Sequence, residues 1–259
     1  MLFMQHFAHA QKHFTGRNEF GLVGGISNYY GDLSQGQNLK HFHPSLGVFH
    51  KYNFSGYISN RIQVSYLKIS GTDSGSASYS YRNLTFQSAI GELSEMIELN
   101  FHKFGTNIND KFSTPYAFAG LSAFIFGPRR LENNELKLRP LRTNGGKKYS
   151  YLQPAVTLGL GYKFMFTPRK NRGAWIVGIE GAWRKTFTDN LDDVSGQYPD
   201  YPDMVANQGT QAAQYSHAQT LNGNPPFAKG VMRGDPHLKD WYYFLGLSLS
   251  YRFTPYICP

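Results

Sequence analysis

Residues 241–253 read WYYFLGLSLSYRF, and their strict alternation constrains the chain more than any other stretch. Trp241, Tyr243, Leu245, Leu247, Leu249, Tyr251 and Phe253 share one face of a strand, while Gly246, Ser248, Ser250 and Arg252 share the other. A soluble sheet can bury such an apolar face. Aromatics at both ends with aliphatics between them, however, match the interfacial girdles and central band of a strand that crosses a membrane.

Composition supports that reading. With 41% hydrophobic residues, a mean hydropathy of -0.44 and no run of 18 unbroken apolar residues, the chain is not a helical membrane protein. Charged residues make up only 17%, below the roughly one quarter usual for soluble domains, so something other than water covers part of the surface. Aromatics at 16% favour strands over helices.

Period-two alternation recurs at 19–30, 45–54, 61–70, 84–101, 116–126, 154–164, 174–187 and 241–253. Each segment is near or above the roughly 9 to 11 residues that cross a bilayer obliquely. In the first, Phe20, Leu22, Gly24 and Ile26 point outward against Glu19, Gly21, Gly25 and Ser27. Within 84–101 the pattern changes phase near Gly91, which predicts a β-bulge. Segment 116–126 is apolar on both faces, so its orientation stays open.

The connections alternate in length. Those at 55–60 and 165–173 are short and 102–114 is intermediate, whereas 31–44, 71–83, 127–153 and 188–239 are long and polar. The predicted fold is all-β: an antiparallel up-and-down transmembrane β-barrel of about eight strands, with termini and short turns periplasmic and long loops outside the cell. A soluble barrel of the lipocalin kind would turn its apolar residues inward; here small and polar residues fill that role. The barrel is expected over 12–253, preceded by a residual signal-like segment at 1–11 and followed by a periplasmic tail at 254–259. The Ala8-x-Ala10 pattern resembles a signal-peptidase site with Gln11 as the mature start; a short disordered arm is the alternative.

Glu19 opens the first strand and Arg252 ends the last, which predicts an ion pair across the closure. Glu98, Lys163, Glu180 and Arg184 add charge to a lumen that eight strands leave nearly filled, so free conduction of solutes is not expected. There is no GxSxG elbow, HExxH, phosphate loop or cysteine pair, so no catalytic residue, metal or cofactor is assigned. His41 and His43 form an HxH pair that reads as loop surface rather than a metal site. Asp189, Asp192 and Asp193 read as a solvated loop or strand-end turn rather than a calcium or acid/base site.

A net charge of +9 permits anionic partners, but the basic residues are dispersed, which argues against nucleic acid. The one cluster, Arg169, Lys170 and Arg172, reads as a solvated turn. Cys258 is the sole cysteine, leaving a free thiol or a bond to another chain.

SNYYGDLS at 27–34, RNLTFQSAIGELS at 82–94, TPYAFAGL at 114–121 and above all WRKTFTDNLDDVSGQYPD at 183–200 resemble the PorG family of outer-membrane proteins of the type IX secretion system. The ending DWYYFLGLSLSYRF followed by a Cys-Pro pair is also similar. This resemblance implies a non-enzymatic barrel in outer-membrane lipid that anchors a periplasmic ring built from the PorK lipoprotein and PorN, with Cys258 as a covalent link to a ring subunit. The turns 104–112 and 168–172 are then the contact candidates, with Lys103, Lys111, Arg169 and Lys170 steering an acidic partner. The alternative is an adhesion barrel that binds through the long 188–239 loop.

Overall fold

The computed structural model describes residues 18–33, 41–76, 78–105, 110–133, 136–145, 148–166, 173–235, 237 and 239–253. The signal-like segment 1–11, the basic turn with Arg169, Lys170 and Arg172, and the tail with Cys258 lie outside them. Eight strands follow one another: β1 (Asn18–Tyr30), β2 (His43–Asn53), β3 (Ile58–Thr72), β4 (Thr85–Asn100), β5 (Ser113–Arg129), β6 (Leu152–Phe166), β7 (Ala174–Thr186) and β8 (Trp241–Arg252). Each pairs antiparallel with the next, and β8 returns to β1 to close the barrel. Closure removes the unpaired edges that hydrocarbon cannot solvate.

The outer wall carries bulky apolar side chains exposed along every strand. Leu46, Val64, Leu93, Leu121, Leu158 and Leu247 form its middle. Phe54, Tyr57, Phe101, Phe112, Phe166, Trp175 and Phe253 ring the end with the short turns, while Tyr30, Tyr151, Trp183 and Phe187 ring the end with the long loops. A wall of this composition suits lipid, because in water it would leave a continuous apolar belt uncovered. Polar exceptions are few; Glu95 points outward and accepts a hydrogen bond from Asn60 at 3.2 Å.

Strand β5, ambiguous in sequence, turns its aromatic residues Tyr116, Phe118, Phe124 and Phe126 inward and its aliphatic Leu121 and Ile125 outward. Tyr116 and Phe118 lie directly opposite Gly161 and Gly159 of β6, and a Cβ at either glycine would collide with the aromatic ring. Paired with small residues on the neighbouring strand, the rings fit inside the barrel.

No bulge interrupts β4. Gly91 pairs with Tyr66 of β3 and Ile125 of β5 in an unbroken register on both sides, and every even-numbered residue from Phe86 to Asn100 faces inward. What changes near Gly91 is the lining chemistry, not the backbone. Phe86 and Ile90 fill the loop half of the lumen, whereas Glu92, Ser94 and Glu98 fill the turn half. A phase change in hydrophobicity therefore arose from two different interiors along one regular strand.

The long connections do not stay open. The connection after β7 forms α2 (Tyr201–Gln208) and α3 (Thr210–Ser216), which pack together and against Leu141 of α1 (Leu138–Leu141) from the preceding loop, while Leu138, Leu191, Val194 and Ala218 join the strand residues at the mouth. Pro202 stands in the first turn of α2 and Asp200 caps it, its side chain accepting from the Asp203 amide at 3.3 Å. No helix among the described residues is long and apolar enough to cross a membrane.

Candidate functional site: a closed lumen under a folded cap

The lumen is filled in tiers. At the turn end, Phe104 is carried into the barrel by the 101–112 turn, where its amide donates to the Gly56 carbonyl at 2.9 Å. Its ring lies under Lys163 and Arg252, 4.9 and 5.1 Å from their cationic centres, and packs with Met165, Ala174 and Ile176. Above it, Arg252 meets Glu19 at 3.2 Å across the β1–β8 seam, and Ser250 donates to the same carboxylate at 2.7 Å. Lys51 bridges Glu19 at 3.4 Å and Glu98 at 2.9 Å, and Lys163 pairs with Glu98.

Further in, Arg61 grips Glu180 through two hydrogen bonds of 2.8 and 2.9 Å, and Tyr116 donates its hydroxyl to Glu180 at 2.7 Å. Arg184 holds Glu92 at 3.0 and 3.1 Å, with Ser94 and the Tyr242 hydroxyl donating to the same carboxylate. These charges are all almost fully buried. Buried charge is tolerated when each ion is paired, and every ion here has an oppositely charged partner, although Arg61 Nε and Arg184 Nη1 are buried without a hydrogen bond. Lys51, Arg61 and Glu92 belong to this network although sequence reasoning missed them. The phase that sends Leu46, Val48 and Tyr52 outward also sends Lys51 inward, and Arg61 follows from Ile62 and Val64; Glu92 was hidden by the supposed bulge.

Beyond Glu92 the lining becomes apolar. Leu67, Ile69, Phe86, Ile90, Phe124 and Phe126 from the strands join Leu191, Val194 and Ala218 from the cap in one buried cluster. The cap is pinned by buried polar contacts between loops. Arg233 donates to the Asp193 carbonyl at 2.8 Å and also to Asn144, and Arg82 pairs with Asp73 at 2.7 Å while donating to the Arg233 carbonyl. Tyr149 donates to Asp193 at 2.8 Å, joined there by Thr143.

The aspartates expected on a solvated loop are instead inside: Asp192 and Asp193 are each 1% exposed. The segment 188–193 is drawn down because Leu191 must enter the apolar cluster, and the flanking carboxylates go with it. Tyr29 lies between Asp192 and Asp240, 2.7 Å from an oxygen of each. A phenol has one proton to give, so the second contact needs a proton on a carboxyl. Burial, reinforced by Asp189 and Asp32, pushes Asp240 up to about 8, and burial together with Asp240 and Asp32 raises Asp192 as well. Burial also lifts Asp32 to about 6. Among the described residues no group of His, Cys, Asp and Glu has the disposition to hold a metal ion.

The remaining sequence candidates are placed as follows. His41 and His43 both reach the Ser70 hydroxyl, at 3.0 and 2.7 Å. Lys103 and Lys111 lie exposed at the turn end, where Lys103 pairs with the buried Asp110 at 3.0 Å and the Lys111 amide donates to the Lys103 carbonyl at 2.8 Å. Lys103 is therefore partly neutralised rather than a bare cation.

Solved barrels of similar shape include Ail, the attachment invasion locus protein of Yersinia pestis (10% identity, 92% of this chain and 99% of that chain, TM-score 0.40). They also include the neisserial surface protein NspA (8%, 92% and 99%, 0.41) and OprG of Pseudomonas aeruginosa (10%, 92% and 98%, 0.39). No curated protein matches the chain in sequence. The model of DUF6089, a domain of unknown function, matches residues 1–208, and the chain belongs to that family.

Proposed function

We propose that this protein is an integral outer-membrane barrel with a positional rather than enzymatic role, anchoring or assembling the periplasmic ring of a type IX secretion machinery. The observation that carries the reading is the closed lumen: ion-paired tiers, an aromatic plug at Phe104 and a packed cap leave the barrel neither a channel nor a catalytic cleft along its axis. A plugged barrel with an apolar wall is suited to holding a fixed height in lipid. The resemblance to PorG supplies the partners, which are ring subunits like PorK and PorN.

In this reading the long loops face outward and the short turns and termini face the periplasm. Lys103 and Lys111 are the described contact candidates of the docking side, joined by Arg169, Lys170 and the Cys258 thiol. Co-purification from detergent-solubilised envelopes, run on non-reducing gels with wild type and Cys258→Ser, tests it. Ring subunits should come down with the barrel, in a disulfide-linked band that Cys258→Ser abolishes; a barrel that purifies without them sinks the anchoring role. Orientation is read independently by maleimide labelling of Asn224→Cys, placed on the exposed cap in a Cys258→Ser background, on intact cells.

A second reading, surface adhesion, is favoured by Leu221, Val231 and Met232, which stand exposed on the cap. Capture of a surface ligand that is lost on charging Met232, with no ring subunit bound, would replace the anchor by this alternative.

A further inference from the structure

Hydrocarbon cannot hydrogen-bond a carboxylate, so an acidic side chain in the middle of a lipid-facing wall is costly unless protein satisfies it. Glu95 is such a side chain. It stands exposed on β4, directly opposite Ile62 of β3 and Leu121 of β5 and two residues from Leu93, all three exposed in the apolar belt. The far side of the wall is plain aliphatic at that height, with Leu158, Leu160, Ile179, Leu245 and Leu247 exposed. Polarity in the belt is therefore confined to the β2–β4 side, where His50 and Asn60 accompany Glu95.

Asn60 donates one amide N–H to Glu95 at 3.2 Å. A side-chain amide carries a second N–H, and a carboxylate has room for several donors. Each copy of the chain thus presents one unspent donor and one unspent acceptor side by side on the same face. Such a set is self-complementary: a two-fold axis passing beside it offers each carboxylate the donor that the other copy has left over. The flank beside Glu95 is also low. Ala119 and Ala123 of β5 pair with Ile97 and Leu93 and so stand diagonal to Glu95, where small side chains let a second surface come close.

We propose that this face, from β3 to β5 around Glu95, is the contact between two copies of this chain within the membrane, each Asn60 donating its second N–H to the partner's Glu95. A lone barrel leaves the carboxylate in lipid, whereas a pair covers it with amide donors and neighbouring aliphatic chains. The inference depends neither on the anchoring role nor on which end of the barrel meets the periplasm.

The full-length barrel in phosphatidylcholine vesicles, in a Cys258→Ser background, provides the test. Ala123→Cys, beside Glu95, and Ile179→Cys, on the far wall, are each treated with a bis-maleimide. Copies labelled at Asn224→Cys with donor or acceptor dyes report association by energy transfer as lipid dilutes them. Glu95→Leu removes the polar contact at a site already flanked by leucines, and Glu95→Gln keeps an acceptor of the same shape. Circular dichroism verifies that each variant is folded.

The expected result is a crosslinked dimer formed at least about tenfold faster from Ala123→Cys than from Ile179→Cys, an association weakened about tenfold by Glu95→Leu, and one preserved by Glu95→Gln. Equal crosslinking from the two positions overturns the interface. So does association undiminished in folded Glu95→Leu, which would leave Glu95 a bystander. Wild type that shows no energy transfer at any dilution overturns the second copy as occupant, and an Ala123→Cys crosslink in native envelopes to a protein of another mass overturns it in favour of a foreign membrane protein.

Discussion

Behind one continuous wall, the turn half and the loop half of this barrel solve the problem of a filled interior in opposite ways. In the turn half, Glu19, Lys51, Arg61, Glu98, Lys163, Glu180 and Arg252 meet in a network of ion pairs. In the loop half, Leu67, Phe86, Ile90 and Phe124 form an ordinary apolar core. The difference follows from what is available to cover each end. Short turns can insert little beyond Phe104, so the turn half satisfies itself mainly across the lumen, strand to strand. The long segment 188–240 brings Leu191, Val194 and Ala218 down onto the strands, so the loop half can exclude water and be apolar. Strands β3, β4 and β5 carry both solutions without a break in register.

The comparison breaks most visibly if one ion is removed. Arg61→Ala strands Glu180 in a dry lumen and should cost about 3–5 kcal/mol, whereas replacing both partners by apolar residues of similar volume should cost much less. Urea unfolding in detergent, followed by tryptophan fluorescence, measures both. If the single and double variants lose equal stability, the pairing account of the turn half is wrong. In the loop half, Ile90→Ala should cost about 2–5 kcal/mol through the cavity it opens, and no compensating second substitution should exist.

The pH dependence of the two halves should also differ, because the cap holds a carboxyl that titrates near neutrality. Asp240 is raised from 3.8 to about 8 by burial. Its folded form binds a proton more tightly than its unfolded form, so the stabilisation is complete below pH 4 and is lost as pH rises through about 8. Limited proteolysis of the cap should accelerate between pH 6 and 9 while the barrel wall stays resistant, with Asp240→Asn flattening the profile. An unchanged cleavage rate across that range would rule out the shared proton at Tyr29.

Smaller effects sharpen the boundary between cap and barrel. Asp200→Ala removes the cap of α2 and should cost about 1 kcal/mol, visible as faster hydrogen exchange in α2 but not in the strands. Lys103→Ala breaks an ion pair whose lysine is 46% exposed, so stability should change by no more than about 1 kcal/mol, measured in the same urea titration. A larger loss would mean that Asp110 depends on Lys103 for its burial.

Much of this molecule was legible in the chain. The eight strands, the outward faces of all but 84–101 and 116–126, and the alternation of short and long connections follow from the local run of residues, above all from a period of two. Orientation of 116–126 was not legible, because Phe118 and Tyr116 become inward residues only when Gly159 and Gly161 of another strand lie opposite them. The supposed bulge at Gly91 failed for a related reason: hydrophobicity was taken as a marker of the outside, and the loop half has an apolar inside as well. The buried aspartates misled in the other direction, since polar residues in a Gly- and Asn-rich stretch carry no local sign of being covered.

The sequence by itself therefore determined where the chain runs as strand and, where one face is apolar and the other polar, which face meets lipid, because alternation needs no distant partner to be read. Of the pairings inside, the sequence announced only Glu19 with Arg252, because closure sets the first and last strands side by side. The tertiary structure decided the others: Glu92 finds Arg184 across a separation of 92 residues, and Tyr29 finds Asp192 across 163. Such contacts exist only once the barrel has closed and the cap has folded, since a buried ion is stabilised by whatever stands across the lumen from it, and no neighbour along the chain records that.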